Sequence, residues 1–351
     1  MDNIEKIINW YNYENDRIFI ISGYAGCGKT TLARKVPEIL NLLEYNVAFL
    51  TPTGKAAKVL HSNAKTIHSY LYFAKLDENN KLIFVKKHHD EFTEDLLIVD
   101  EISMVSDDLL KDLINTGIPI IGLGDPAQLP PVFGTSTILE NPDIFLTHVF
   151  RNDGGLLDFA TDVRMDKIIK TSYENVMFKR NNIVRDLNLI DEDSIVICRY
   201  NKTRNNLNKI IREKIYHYTH LIDVGEKLMV LRNNKSTGLM NGSIVQIVEI
   251  ININDSYNFA EVIVLDDNGN TQKIYINTHI LADTTNKLSA NYQTSMNIHI
   301  VDYAYAITCH KSQGSEFEKV FVVVEGTQYD DFKKWLYTAI TRARKSLYMY
   351  K

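Results

Sequence analysis

The sequence predicts an α/β protein built from parallel, doubly wound sheets and interrupted by two β-rich insertions. Three observations carry that reading. Short apolar runs alternate with helical patterns along most of the 351 residues. A glycine-rich turn joins the first apolar run to the first long helical pattern. Later apolar runs end in carboxylates or in Gly-Asp, at the strand ends where open α/β sheets bind ligands.

Residues 17–22 (RIFIIS) read as a buried strand, and residues 29–43 as the helix after the glycine-rich turn. Residues 47–50 form a second strand and 53–61 a helix. A third strand covers 96–100, and a fourth covers 118–122 before Gly124-Asp125. A second α/β pattern follows: a helix at 154–164, a strand at 195–198, a helix at 201–216, a strand at 320–324, a helix at 332–343 and a strand at 347–350. Residues 69–95 interrupt the first pattern with two strands around a polar turn at 77–80, a hairpin. Residues 225–281 interrupt the second with KLMVLR, SIVQIVEI, FAEVIVL and QKIYI, which read as a small β-barrel. The expected domains are therefore 1–150 with its hairpin insert, 151–224 joined with 282–351, and the β insert 225–281.

Composition excludes several classes. The net charge of -5 rules out a globally basic nucleic-acid coat, while a local track that grips and releases phosphates remains compatible. The start MDNIEKIINWYNYENDR is too polar and acidic for a signal peptide, and no apolar run approaches the ~20 residues of a membrane span. Cys27, Cys198 and Cys309 lie too far apart for a zinc knuckle or a disulfide framework. A reducing cytoplasm is the expected setting, with no membrane partner.

Gly23-Tyr24-Ala25-Gly26-Cys27-Gly28-Lys29-Thr30 fits the phosphate-loop pattern. Gly23, Gly26 and Gly28 let backbone N–H groups wrap phosphate; Lys29 reaches the outer phosphates, and the Thr30 hydroxyl, with Thr31 beside it, faces Mg²⁺. Kinases and GTPases share this pattern. Asp100 and Glu101 end the third strand. Beside a phosphate loop, Asp100 would bind Mg²⁺ and Glu101 would polarise an attacking water; alone they would be an acidic strand end. Gln128 in GDPAQLPP would sense the γ-phosphate; the prolines explain a turn there but not Gly-Asp-x-x-Gln. Arg151 and Arg342 lie outside the first domain and are candidate arginine fingers, whereas Arg344 suits a surface salt bridge. Cys27, inside the loop, is a candidate for oxidation.

Together GYAGCGKT, FLTPTGKAA, TIHS, VDEISM, GLGDPAQLPP, VFRN, TCHKSQGSEF and YTAITRAR resemble superfamily 1 helicases, over nearly the whole chain. TIHS, DEISM, GDPAQLPP and HKSQGSEF, with NGS at 241–243, resemble the RecD/Dda-like (1B) branch; ATDVR at 160–164 and the short hairpin are most similar to the Dda helicases of T-even phages. The resemblance implies two RecA-like P-loop domains with ATP and Mg²⁺ in the cleft between them, a pin hairpin and an SH3-like β-barrel insert. It implies an ATP-dependent DNA helicase moving 5′ to 3′ on single-stranded DNA and opening forks. Thr51, Pro52, Thr53, Thr66 and His68 would line the strand in the first domain, and Thr308, His310 and Lys311 in the second, touching phosphates without reading bases. Gln313 and Glu316 would face the nucleotide, although Glu316 could instead cap a helix. Phe84 sits at the wedge position of the pin; it either stacks on the last base pair or packs the hairpin onto its neighbours. Thr66 and His68 likewise read as a helix cap and a buried histidine.

Two departures matter. No glutamine precedes Gly23, so ATP is implied by the family rather than by an adenine-reading residue. Residues 282–300 are too few for a Dda-type tower that braces the pin, which predicts a less rigid pin. The competing functions are a single-stranded translocase or protein-displacing ATPase, including on RNA, and a slow nucleotide-gated binding module. Expected partners are single-stranded and fork DNA, with a single-stranded-DNA-binding protein or replisome components as further candidates, in a bacterial or phage-infected cytoplasm.

Overall fold

The structure, a computed structural model, describes residues 2–78, 82–148, 154–234, 236–254, 256, 258–282, 298–326 and 331–351. The chain divides into two compact units. Unit one comprises Met1–Lys75, Phe84–Asp153 and Lys333–Thr338; unit two comprises Leu76–Ile83, Gly154–Phe332 and Ala339–Lys351.

In chain order the first part of the fold is α1 (Asn3–Tyr13), β1 (Ile18–Gly23), α2 (Lys29–Ile39), β2 (Val47–Thr51), α3 (Gly54–Leu60), β3 (Lys65–Thr66) and α4 (Ile67–Leu71). The hairpin strands β4 (Tyr72–Leu76) and β5 (Leu82–Lys86) follow, then β6 (Leu96–Val99), α5 (Asp107–Ile114), β7 (Ile120–Gly124) and β8 (Ile144–Leu146). The main sheet has the order β3-β2-β6-β7-β1-β8, and its pairs are parallel. β1 shows why its strands read as unbroken apolar runs. Phe19 and Ile21 point to one face, against Ile7, Trp10, Ala33 and Val36; Ile20 points to the other, toward the cluster of Ile67, Leu110 and Leu113. Both faces are covered by helices, so no residue of the strand needs to be polar.

Helix α1 has no counterpart in the sequence reading. Only Ile7 and Trp10 of it are buried, a pair one helical turn apart in a polar segment. Helix α2 ends at Ile39, short of 43: Pro37 lies in its last turn, and Asn41 turns left-handed at φ 52°. The two strands expected within 69–95 pair with each other as a separate two-stranded sheet.

The remaining elements are α6 (Gly155–Arg164), β9 (Val176–Lys179), β10 (Ser194–Cys198), α7 (Asn201–Lys214), β11 (Lys227–Val230), β12 (Ile244–Asn254), β13 (Phe259–Asp266), β14 (Thr271–Asn277), α8 (Thr278–Ala282), β15 (Ile298–His299), β16 (Val301–Tyr303), β17 (Ala306–Thr308), α9 (Cys309–Ser312), β18 (Phe317–Val323), α10 (Phe332–Ile340) and β19 (Ala343–Tyr350). β17-β10-β18-β19-β9 form a second parallel sheet. The β insert is a six-stranded sheet in the order β15-β14-β13-β12-β11-β16. It draws in β15 and β16, beyond the 225–281 segment, because β11 pairs antiparallel with β16. Most of residues 282–300, where the tower would be looked for, lies outside the described residues.

Trp10 is 2% exposed, with its ring 5.3 Å from Phe19. Trp10→Ala should lower stability by about 3–5 kcal/mol, read by urea unfolding with circular dichroism; a loss under about 1 kcal/mol would show that α1 does not belong to the core.

Candidate nucleotide and nucleic-acid sites

The strand order of unit one brings three loops together. β6, β7 and β1 are neighbours and parallel, so the loops after β1, β6 and β7 leave the same sheet edge side by side. They carry Gly23–Thr30, Asp100-Glu101 and Asp125–Gln128 respectively.

In the first loop Gly28 caps α2 at φ 81°, a left-handed conformation that favours glycine. At Gly23, a Cβ would stand 2.5 Å from the Cys27 Sγ and 3.0 Å from Leu146. The Lys29 ammonium donates to the carbonyls of Gly23 at 2.7 Å and Tyr24 at 3.0 Å, folding back over its own loop. The Thr30 hydroxyl donates to the Asp100 carboxylate at 2.9 Å, joining the first loop to the second. The backbone N–H of Glu101 donates to the other Asp100 oxygen at 2.8 Å. Burial pushes the Asp100 carboxyl above its usual range, against those two bonds and the nearby Lys29 and Arg34 charges. No group of three or more His, Cys, Asp or Glu side chains forms a metal cage among the described residues. One hydroxyl and one buried carboxylate fit Mg²⁺, which usually takes its remaining ligands from phosphate and water.

Glu101 holds φ 55° and ψ 39°. A left-handed glutamate is uncommon, and such strain clusters at functional sites. Gln128 is buried, and its amide oxygen finds no hydrogen-bond partner among the described residues. It borders a cavity of about 170 Å³ whose lining includes Ser103, Asp125, Pro130 and Lys334. A buried amide oxygen without a partner is costly, which fits a group that completes its bonding with a ligand.

Sequence reading missed the residues of α10 that hold these loops. The Tyr337 hydroxyl accepts from the Ala25 N–H at 3.1 Å and donates to Asp125 at 2.9 Å. The Thr338 hydroxyl accepts from the Leu129 N–H at 2.9 Å. Their signal was present, one turn before Arg342 in YTAITRAR, but hydroxyls at helical spacing look like ordinary surface residues.

In unit two, Arg342 is buried, and its guanidinium donates to the Ser315 carbonyl at 3.2 Å and the Thr341 hydroxyl at 3.1 Å. That places it beside Gln313, which is buried, and Glu316, which is exposed and near Arg344 at 3.9 Å. Arg344 also meets Glu318 at 3.5 Å, a surface pairing. Arg151 lies outside the described residues.

The candidate strand-lining residues divide. Thr51 is fully buried, and its hydroxyl donates to the Thr53 carbonyl at 2.7 Å, so this hydroxyl points inward rather than toward a strand. Thr53 and Thr66 cap α3 and α4, accepting from the N–H groups of Ala56 and Ser69, both at 3.3 Å. Pro52 is half-buried beside them. His68 is exposed, contrary to the buried-histidine reading; its ring stands 5.7 Å from Tyr72 and 6.1 Å from Phe84. Phe84 is 56% exposed, so packing accounts for less than half of its surface. In unit two, Thr308 is buried at the end of β17, while His310 and Lys311 are half-buried on α9. Burial pushes the Lys311 ammonium down to about 8, and the Arg204 guanidinium pushes the same way. Arg204 pairs with Asp302 at 2.7 Å, both buried.

Cys27 does not suit oxidation: its thiol is buried, and that burial raises its pKa above the usual thiol value despite Lys29.

Residues 7–134 match the AAA domain family, and residues 303–350 match the UvrD-like helicase C-terminal domain. An uncharacterized protein of Methanocaldococcus jannaschii is 27% identical over 96% of this chain and 37% of its own length. The ATP-dependent RecD2 DNA helicase of Deinococcus radiodurans is 27% identical over 93% of this chain and 46% of its own. The chain thus spans less than half the length of these relatives. The Pif1 helicase from Bacteroides, solved in complex with ADP-AlF3 and single-stranded DNA, shares the fold with a TM-score of 0.64 at 21% identity, over 99% of this chain and 92% of that one. The two parallel sheets with their helices are two RecA-like domains.

Burial pushes the Cys198 and Cys309 thiols up to about 12 as well. A chromogenic disulfide reagent should therefore find the three cysteines unreactive in the native protein and all reactive after unfolding. Rapid native labelling of Cys27 would overturn its buried placement.

Proposed function

We propose that this chain, in which residues 7–134 match an AAA domain and residues 303–350 a UvrD-like helicase C-terminal domain, is an ATP-driven DNA helicase of the RecD/Dda-like branch. The observation that carries the reading is the Thr30–Asp100 bond beside the strained Glu101, at the edge of a parallel sheet that also holds Lys29 and Gln128.

Each side chain then has a task. The Gly26 and Gly28 turns leave backbone N–H groups to wrap the phosphates, and Lys29 exchanges its loop carbonyls for phosphate oxygens. Thr30 and Asp100 would hold Mg²⁺, which would supply positive charge to the outer phosphates. Glu101 orients the attacking water and takes its proton as the bond to the leaving oxygen breaks, releasing ADP and phosphate. Gln128 donates its amide N–H to the γ-phosphate, leaving the buried amide oxygen to accept from water. Arg342 supplies positive charge to the transferring phosphoryl group, with Arg151 as the second candidate, an effect worth roughly 10³–10⁵ in rate. Gln313 and Glu316 are further proposed nucleotide contacts.

Pro52, Thr53, His68, Thr308, His310 and Lys311 contact single-stranded DNA. Thr51 and Thr66 use their hydroxyls to hold their own loops rather than to touch the strand. Travel is 5′ to 3′, and Phe84 stacks on the last base pair. One stacked base is worth ~1–3 kcal/mol, comparable with the ~1.4 kcal/mol mean of a base-pair step.

ATPase and strand separation on duplexes with 5′ or 3′ single-stranded tails, of DNA and of RNA, test the reading. Opening of the 5′-tailed DNA alone is expected, with Lys29→Ala abolishing both activities. Turnover by Lys29→Ala sinks the nucleotide site. DNA-stimulated ATPase without strand separation identifies a translocase instead.

Lys311 adds a pH dependence. Its pKa of about 8 lies below that of a free lysine, so the ammonium that grips phosphate is present below pH 8 and lost above it. Burial lowers the His310 pKa as well, leaving that ring neutral throughout this range. Single-strand affinity, followed by fluorescence anisotropy, should fall between about pH 7 and about pH 9.5 in the native protein and stay nearly flat in Lys311→Arg. Equal slopes would remove Lys311 from the track.

A further inference from the structure

The base of the hairpin is held by a side chain of α5. Asp112, in the last turn of α5, accepts the hydroxyl of Tyr72, the first residue of β4, and meets the ammonium of Lys86, the last residue of β5, at 2.5 Å. One carboxylate thus holds both strands at the base of the hairpin. The backbone closes the same base: the Lys87 N–H donates to the Leu71 carbonyl at 2.9 Å, and the Lys87 ammonium to Ser69 at 3.2 Å.

Asp112 is poorly placed to serve its own helix. The C-terminal turn carries the negative end of the helix dipole, where a carboxylate is disfavoured. Its side chain is 17% exposed, against 94% for Asp108 on the same helix. Helix α5 has its own anchors, the buried Leu110 and Leu113 and the Ser106 cap. Partial burial would raise the Asp112 carboxyl, but Lys86 and Tyr72 outweigh it and hold it below the usual range, so it stays charged at neutral pH. The Tyr72 ring that it fixes stands 6.4 Å from Phe84 at 66°, and His68 flanks both.

We propose that Asp112 is a positioning residue for strand separation: by holding Tyr72 and Lys86 it fixes the platform on which the half-exposed Phe84 ring meets the duplex. This rests on the wedge reading of Phe84 given above. The carboxylate touches neither nucleotide nor DNA and acts only through the hairpin.

The test uses the full chain on a forked duplex carrying 2-aminopurine at the junction, with DNA-stimulated ATPase measured in parallel. Asp112→Asn should leave the ATPase within about twofold and slow strand separation about tenfold, the scale expected for losing a charge-assisted bond. It should also weaken the junction quenching that reports ring stacking, a readout that needs no turnover. In a Phe84→Ala background Asp112→Asn should cost nothing further. Tyr72→Phe, which deletes one hydroxyl, should repeat the effect in part and serves if Asp112→Asn folds poorly.

If Phe84→Ala separates strands and quenches like the native protein, the wedge reading falls and the brace falls with it. If Phe84→Ala is defective while Asp112→Asn and Tyr72→Phe are not, the brace alone is overturned. A parallel loss of ATPase and strand separation, or an added loss in the double variant, would show that Asp112 merely stabilises the fold and would overturn the proposal.

Discussion

The hydrogen bond from Thr30 to the buried Asp100 is the contact on which the proposed nucleotide site depends. It joins the start of α2 to the end of β6, two elements far apart in sequence that parallel pairing makes near neighbours. Burial pushes the Asp100 carboxyl above its usual range, while the Thr30 hydroxyl, the Glu101 N–H and the nearby Lys29 and Arg34 charges act against it. A bound cation would act with those groups to keep the carboxylate charged. Glu101 takes its left-handed turn immediately after this carboxylate, so the geometry of the proposed base follows from the strand end that anchors Asp100.

Around this centre the structure relies on side chains that hold other groups rather than act themselves. Tyr337 binds Ala25 of the first loop and Asp125 of the third, and Thr338 binds Leu129. In unit two, α7 plays a comparable part through two buried ion pairs. Arg204 meets Asp302 on β16, and Arg212 grips both oxygens of the fully buried Glu226, just ahead of β11. Such pairs contribute little net stability, since desolvation offsets their attraction, but breaking one strands a buried charge. They therefore fix α7 against the β insert in one register. The Arg204 charge is also one reason that Lys311 holds its proton weakly.

Legibility in the sequence followed the range of each interaction. Phosphate loop, strand-end carboxylates and alternating elements were readable because their chemistry requires particular residues at short spacings. Helix α1 was not, since two buried residues among polar neighbours make a faint period and only packing against Phe19 and its cluster makes it a core helix. The inward turn of the Thr51 hydroxyl and the burial of Cys27 were equally hidden, because a side chain's direction depends on neighbours that the motif does not contain. His68 carried two readings, strand-lining and buried, and its exposure sets aside the buried one.

The sequence by itself determined the α/β class and the order of the motifs, and it pointed to phosphate-binding chemistry, since glycines, lysine and paired carboxylates at those spacings have few other uses. Tertiary structure decided which residues cooperate. Strand order made neighbours of Gly23–Thr30, Asp100 and Gln128, and helix packing brought Tyr337 to the first loop and Asp112 to the hairpin base. The physical reason is that a hydrogen bond or ion pair acts over about 3 Å, while the residues that make it can lie anywhere along the chain.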